Sequence, residues 1–467
     1  MAKFDANQES QFGVLPVLKE DRVYNLFDNS CINVGLAIAT WCFMIGGSVA
    51  LFVDFWPAVI ATLVGNMISV LVMAIMPCSA SATTGADNYT LAASYMGRNG
   101  RYILMAFITV FQIAWLIVLS IMFARSVSNV TAAFMGVESM GSGFTMVISL
   151  IAVAIVFLVV WKGPLVIKRF NNVVAPMMVV VIIGLLVILS KNIGWDVITS
   201  ADPIAPNDNQ WVNFLMAVEL SFGAGLSWWP NMGGMSRLCK TTKAAYWANL
   251  AGLILAATVG TALGVAAAIT IGSDDPTEWM LPLGGLVFGV IALVFVAIAN
   301  VTSNATVAYN ICLGLKDIKI FRDKKWALVV LIFLIPVAIG LILFPNQIYD
   351  HFYILLGVTC TFYVPVVTIS TIDYFVLRKK KLDIRGLYDR TSTSAYSFWG
   401  GFNWVAIIVF ALAMPFYLVF LNPATLVYQT PFMYCTASGG VFVVVAIVYY
   451  ILAKVFLVNK GIGGYRK

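Results

Sequence analysis

Trp41-Cys42-Phe43-Met44-Ile45-Gly46-Gly47-Ser48-Val49-Ala50 and Ser221-Phe222-Gly223-Ala224-Gly225-Leu226-Ser227-Trp228-Trp229-Pro230-Asn231-Met232-Gly233-Gly234 decide how this chain is read. Each lies in an apolar run of helical length, and each places glycines at its middle; the second adds a proline. Glycine costs a helix about 1 kcal/mol and proline about 3, so both runs are expected to unwind there. Close packing of helices through small residues competes at either stretch taken alone. The matched placement of the two favours breaks. A helix broken in an apolar medium frees carbonyls and amides that an ion or a polar solute can then bond.

That the medium is apolar follows from composition. Of 467 residues, 61% are apolar and 10% charged, and the mean hydropathy is +0.93. A soluble protein carries about 25% charged residues, and no water-facing core hides this much apolar surface. Soluble domains, disordered chains and disulfide scaffolds are excluded. A helix needs about 20 apolar residues to cross the hydrocarbon core. Twelve runs qualify: 34–52, 58–79, 102–126, 144–161, 172–190, 212–235, 245–272, 282–311, 327–344, 352–376, 401–421 and 430–457. The two glycine stretches fall in the first and sixth runs, five helices apart. Carriers built from inverted repeats break their first helices in this way. The expected organisation is a segment 1–33, a first five-helix repeat 34–190 and a second, inverted repeat 212–376. A basic loop 377–400, two additional helices in 401–457 and a tail 458–467 complete it. The fold class is an all-α polytopic membrane protein.

Charge tests the count. With the amino terminus placed in the cytoplasm, twenty-six of the 28 Lys and Arg fall on that side; only Arg125 and Lys191 lie opposite. One missed helix would invert every later loop. Basic loops stay cytoplasmic, so both termini are expected there, in the plasma membrane. The net charge of +7 is thus topology rather than nucleic-acid binding. The seven cysteines are scattered without a CxxC and behave as small hydrophobes. His351 stands alone at a loop–helix junction, and no paired acids lie in the spans, so an enzyme is not expected. Residues 1–30 carry Asp5, Glu9, Glu20, Asp21 and Asp28 and no basic stretch leading into an apolar one, so a cleaved signal peptide is not expected either.

Polar groups within spans mark candidate sites. The eighth run contains Ala299-Asn300-Val301-Thr302-Ser303-Asn304-Ala305-Thr306; hydroxyls beside freed carbonyls suit a desolvated monovalent cation. Bonding of those hydroxyls to the carbonyl one turn earlier is the structural alternative. Gln112 and Trp115 share a helix face. A flat indole beside an amide suits a planar heterocycle, and equally suits helix packing. Glu219 is the one acid placed well inside a span. Buried and ionised it would be costly, so it is protonated, paired or facing a wet cavity, coupling protons or lining a vestibule.

Ile372-Asp373-Tyr374-Phe375-Val376-Leu377-Arg378-Lys379-Lys380-Lys381, Leu387-Tyr388 and Phe402-Asn403-Trp404-Val405-Ala406 carry a family resemblance, as do Gly97-Arg98-Asn99-Gly100 and Thr302-Ser303-Asn304. In order and spacing, from the first span to the twelfth, they resemble the nucleobase–cation symport-1 family. The resemblance implies a leucine-transporter-like fold, two inverted five-helix repeats followed by two helices. It also implies import by alternating access of a planar nitrogenous ring (purine, pyrimidine, hydantoin, allantoin or similar) together with sodium, or in some members protons. Carried over by residue, Trp115 stacks on the ring, Gln112 reads its edge and Phe222 covers the opposite face. Gly47, Ser221, Gly223 and Asn304 line the same site. The cation is held by the carbonyls of Phe43, Gly46 and Ala299 and the hydroxyls of Thr302 and Ser303.

The sequence also departs from the family. Gly47 stands where relatives often have a larger side chain, and Leu119 stands where hydantoin-type members have a glutamine. The sixth span is longer by about two or three residues through Trp228-Trp229-Pro230, so Ala224 and Gly225 are the alternatives to Phe222. The implied partners are a small heterocycle, a monovalent cation and lipid, with no cofactor beyond the coupling ion, no nucleic acid and a monomeric chain. The rival functions are proton coupling through Glu219 and a non-saturable channel.

Overall fold

Asn25 starts the first span. Its side chain accepts the Asp28 N–H at 2.8 Å while the Asp28 carboxylate accepts the Asn25 N–H at 3.0 Å, a capping box that satisfies two otherwise unpaired donors. The resulting helix α1 (Leu26–Ala37) ends at Ile38 and Ala39, and α2 (Thr40–Ala50) leaves at 54° to it. In this computed structural model, which describes residues 15–73, 75–273, 275–344 and 347–465, the span begins ahead of its apolar run. Asp28, Asn29 and Asn33 depress the hydropathy there, yet all are buried against protein. Expectations resting on residues 1–14, 466 and 467, such as those on Lys3, Asp5 and Glu9, lie outside the described residues.

The break is at Ile38–Ala39, not at Gly46-Gly47. Both glycines sit inside α2, and Gly46 serves packing. A methyl group on Gly46 would lie 2.3 Å from the Thr261 carbonyl oxygen, and one on Gly264 would lie 2.1 Å from that of Phe43. The two backbones touch, which only small residues permit. The sixth span does break within its quoted stretch. There α7 (Gln210–Leu226) passes through Ser227 and Trp228 into α8 (Trp229–Ser236), with Pro230 in the first turn, where its missing N–H costs nothing.

The other spans are single helices. They are α3 (Phe55–Thr84), α4 (Gly100–Met135), α5 (Ser142–Lys162), α6 (Pro164–Ile193), α9 (Thr242–Ile271), α10 (Pro276–Asp317), α11 (Trp326–Leu343), α12 (Phe352–Thr371), α13 (Trp404–Val419) and α14 (Ala437–Val458). With each broken pair counted as one span and the shorter apolar helix α13 included, the described residues form twelve spans. Their ends follow capping rather than hydropathy: Gly136, at φ 67°, stops α4, and Thr436 caps α14. Residues 430–433, expected in the last span, form a separate short turn. Gly285, at φ 65°, kinks α10.

Pairing across the molecule is reciprocal. The first helix of one repeat packs on the second helix of the other, α2 on α9 and α7 on α3, while α4 packs along α10. This exchange is what an inverted repeat with five plus five helices requires, and α13 and α14 stand outside it. On the basic side, the motifs that carried the resemblance form one knot. Fully buried Asp373 accepts from Arg378 Nε at 2.6 Å, Tyr449 OH at 3.1 Å and Tyr465 OH at 2.5 Å. Arg378 Nη2 also reaches the Ser94 carbonyl at 2.6 Å, and Asn403 Nδ2 reaches that of Tyr95 at 2.7 Å.

Candidate functional site

At the break in the first span, α1 ends with carbonyls that no further turn of helix takes up. The eighth span supplies the partners. Ser303 Oγ donates toward the carbonyls of Gly35 at 3.1 Å and Leu36 at 3.4 Å. Thr302 Oγ1 lies 2.8 Å from the Ala299 carbonyl and 3.3 Å from that of Gly35. Asn300 grips the far side of the break, its amide nitrogen 2.8 Å from Thr40 Oγ1 and its oxygen accepting the Thr40 N–H at 3.3 Å. Carbonyls and hydroxyls therefore converge without a charged side chain among these residues, a donor set that suits a monovalent cation. Ala299, Thr302 and Ser303 belong to it. Phe43 and Gly46 do not, because their turn of α2 faces α9; Gly35 and Leu36 stand in their place. Nothing in local propensity marks Ile38 and Ala39 as a break, which is why sequence reasoning missed it.

Three indoles meet beside that set. Ring centroids of Trp41 and Trp115 are 6.2 Å apart, those of Trp41 and Trp228 5.4 Å, and those of Trp115 and Trp228 6.0 Å. Phe352 closes on Trp115 at 5.5 Å. The indole cluster and the oxygen set share an atom: the Leu36 carbonyl accepts from Trp41 Nε1 at 2.9 Å as well as from Ser303. Gln112, buried one turn before Trp115, donates to Tyr363 OH at 3.4 Å. Asn304 Nδ2 points to Ser120 Oγ at 3.1 Å, while its Oδ1 is buried with no partner among the described residues.

The sixth span takes a register other than the expected one. Trp228, not Phe222, faces Trp115. Ser221 Oγ bonds Thr62 Oγ1 at 3.2 Å, and a methyl on Gly223 would meet Cys360 Sγ at 2.7 Å, so both face neighbouring spans. Phe222 is buried beside them, with its amide against Gly65; Gly225 packs on Ser69. Gly47 is buried within α2. Trp41 and Trp228 stood in the quoted stretches, and their aromatic character was the signal available.

Glu219 is remote in chemistry from both sets. Its oxygens accept from Tyr417 OH at 2.6 Å, Ser438 Oγ at 2.5 Å and the Ser438 N–H at 3.1 Å. A carboxylate at the amino terminus of α14 is favourably placed, and it ties the sixth span to the last two.

Polar contacts also tie helices together at either end of the bundle. On the basic side the Val23 and Tyr24 N–H groups bond the Leu238 carbonyl, and Asp28 pairs with Lys168 at 2.8 Å. On the opposite side Arg125 pairs with Asp275 at 3.0 Å and lies 3.8 Å from the ring centre of Tyr349, whose hydroxyl donates to Asp275 at 2.6 Å. Arg125 and Asp275 border a cavity of about 560 Å³.

The family of permeases for cytosine/purines, uracil, thiamine and allantoin has a sequence model that matches residues 16–444. The chain belongs to this family. The permease is 22% identical over 434 residues to the hydantoin permease of Microbacterium maritypicum, which covers 87% of this chain and 83% of that one. Its fold is that of the nucleobase–cation symport-1 transporter Mhp1. Against the closed form with bromovinylhydantoin bound, the TM-score is 0.74 at 19% identity, over 95% of this chain and 96% of that one. Against a substrate-bound, outward-open sodium-coupled sialic acid symporter it is 0.62 at 12% identity, over 97% and 93%. The permease is thus a polytopic membrane transporter of this family.

Proposed function

We propose that the permease imports a planar nitrogenous ring (a purine, pyrimidine, hydantoin, allantoin or relative) by sodium symport through alternating access. The observation that carries this reading is the shared Leu36 carbonyl, which joins an uncharged oxygen cluster to a cluster of three indoles. Sodium among Gly35, Ala299, Thr302 and Ser303 would draw α1 and α10 together and fix the carbonyl that positions Trp41. The ring would then part Trp115 from Trp228 and stack between them, with Gln112 and Asn304 at its edge. Base–aromatic stacking contributes about 1–3 kcal/mol per base, so two indole faces and a few hydrogen bonds are consistent with binding in the micromolar range. By linkage, the ring raises sodium affinity by the same factor as sodium raises ring affinity.

The hydantoin permease relative and the family's description support the choice of ring; the sodium-coupled neighbour supports the choice of ion. Glu219, on α7, is bonded to Tyr417 and to the start of α14 rather than to the oxygen cluster or the indoles, which favours sodium over protons. The basic side is read as cytoplasmic, with the chain in the plasma membrane as a monomer, and residues 34–190 and 212–376 as the two repeats. Purified permease in proteoliposomes tests the reading with labelled cytosine, uracil, hypoxanthine and hydantoin. Saturable uptake driven by an imposed sodium gradient is expected for at least one ring. Uptake driven only by a pH gradient would assign proton coupling, and flux that never saturates would assign a channel. Trp115→Ala is expected to abolish binding while the protein still reaches the membrane; unchanged affinity would remove the stacking site.

A further inference from the structure

Trp228 has a second environment. On the basic side of the indoles it lines, with Asn29, Asn33, Leu36 and Asn231, a small cavity of about 10 Å³ among α1, α8 and α9, room for about one water. Asn231 follows Trp228 by one helical turn, so the two share a face. It is 1% exposed, and neither the oxygen nor the nitrogen of its carboxamide has a partner among the described residues. The same holds for Trp228 Nε1 and Asn29 Oδ1. Buried polar atoms are nearly always paired, and those that are not call for an explanation. Here four belong to residues lining one cavity. The arrangement also mirrors the other face of the cluster, where Gln112 stands one turn from Trp115; unlike Asn231, Gln112 already bonds a neighbour, Tyr363.

We infer that Asn231 reads the hydrogen-bonding edge of the transported ring, forming with Trp228 Nε1 and Asn29 a polar notch on the basic side of the stacking site. The inference rests on the ring-carrier reading above and specifies its substrate. A carboxamide presents an acceptor beside donors and pairs with two adjacent ring atoms at once. The matching edge is a lactam, with C=O beside N–H, or an amidine, with a ring nitrogen beside an amino group. A methyl group on the edge nitrogen removes the match. The ring's body lies between the indoles, and its edge displaces the water that the notch can hold.

The test uses the full chain purified in detergent with sodium present. Cytosine, uracil, hypoxanthine and hydantoin are each titrated beside their ring-N-methylated analogues, by calorimetry and thermal shift. Wild type should prefer the parent of at least one pair by about tenfold or more, the scale of a buried hydrogen-bond pair. Asn231→Leu should lower that parent's affinity by about tenfold and bind parent and analogue alike, with Asn231→Ala giving the same pattern should leucine fail to fold. Because leucine removes two unpaired buried polar atoms, the ligand-free melting temperature should stay at or above that of wild type. A structural asparagine would instead lower it, and that result, or undiminished preference for the parent, overturns the inference. Ring binding that Trp115→Ala loses and Asn231→Leu keeps would deny the notch alone. If no ring binds wild type, the carrier reading falls and the notch with it.

Discussion

Thr302 and Ser303 show what a hydroxyl in a membrane span can be for. Both have acceptors already, yet a hydroxyl has one proton and two lone pairs, so each can turn its oxygen toward a cation without losing its place. Thr302→Ala with Ser303→Ala is expected to raise the sodium concentration needed for half-maximal uptake by about tenfold, the cost of two ligands at about 0.5–1.5 kcal/mol each. An unchanged sodium curve would refute the cation assignment. Trp41→Phe keeps an aromatic ring but removes the Nε1 donor to Leu36. Ring affinity without sodium should change little, whereas the gain in ring affinity on adding sodium should shrink, as measured by titration at two sodium concentrations. These residues were legible to different degrees. Thr302, Ser303 and Trp115 announced themselves by type and place; Gly35, Leu36 and Trp228 did not, because their roles depend on where a helix stops.

Helices set those stops through contact rather than propensity. Gly46-Gly47 is the weakest point of the first span by intrinsic preference, yet it is helical, and α2 and α9 press their backbones together at Gly46 and Gly264. Ile38 and Ala39 carry no breaker, and the chain opens at them because Asn300, Thr302 and Ser303 supply the partners that the missing turn would have used. Gly264→Ala should therefore destabilise the protein by about 1–3 kcal/mol despite alanine's better helix propensity, through its clash with the Phe43 carbonyl. Gly143→Ala, where a methyl meets nothing within 4 Å, should hold the melting temperature or raise it slightly through helix propensity. Equal effects of the two substitutions in a thermal melt would contradict the packing account.

At the scale of the whole molecule, the last two helices are fastened to the repeats at opposite sides of the bundle. Asp373 holds α14 and Tyr465 on the basic side, and Glu219 holds the start of α14 across the bundle. Glu219→Gln turns an acceptor of three bonds into a group with a donor facing donors. It should cost about 2–3 kcal/mol of stability and leave the ratio of sodium-driven to pH-driven uptake unaltered. Loss of a proton-driven component in that variant would make Glu219 a coupling group instead of a fastening.

The count of twelve spans, the basic asymmetry of the loops and the expected five-plus-five arrangement were legible in the sequence alone. Apolar length and loop charge are additive along the chain, so they can be summed without knowing which helix meets which. The positions of the breaks, the register of the sixth span and the partner of Glu219 were decided only in three dimensions. Each depends on which unpaired backbone or side-chain group a distant helix is able to satisfy, and that is a property of neighbours far apart in the chain.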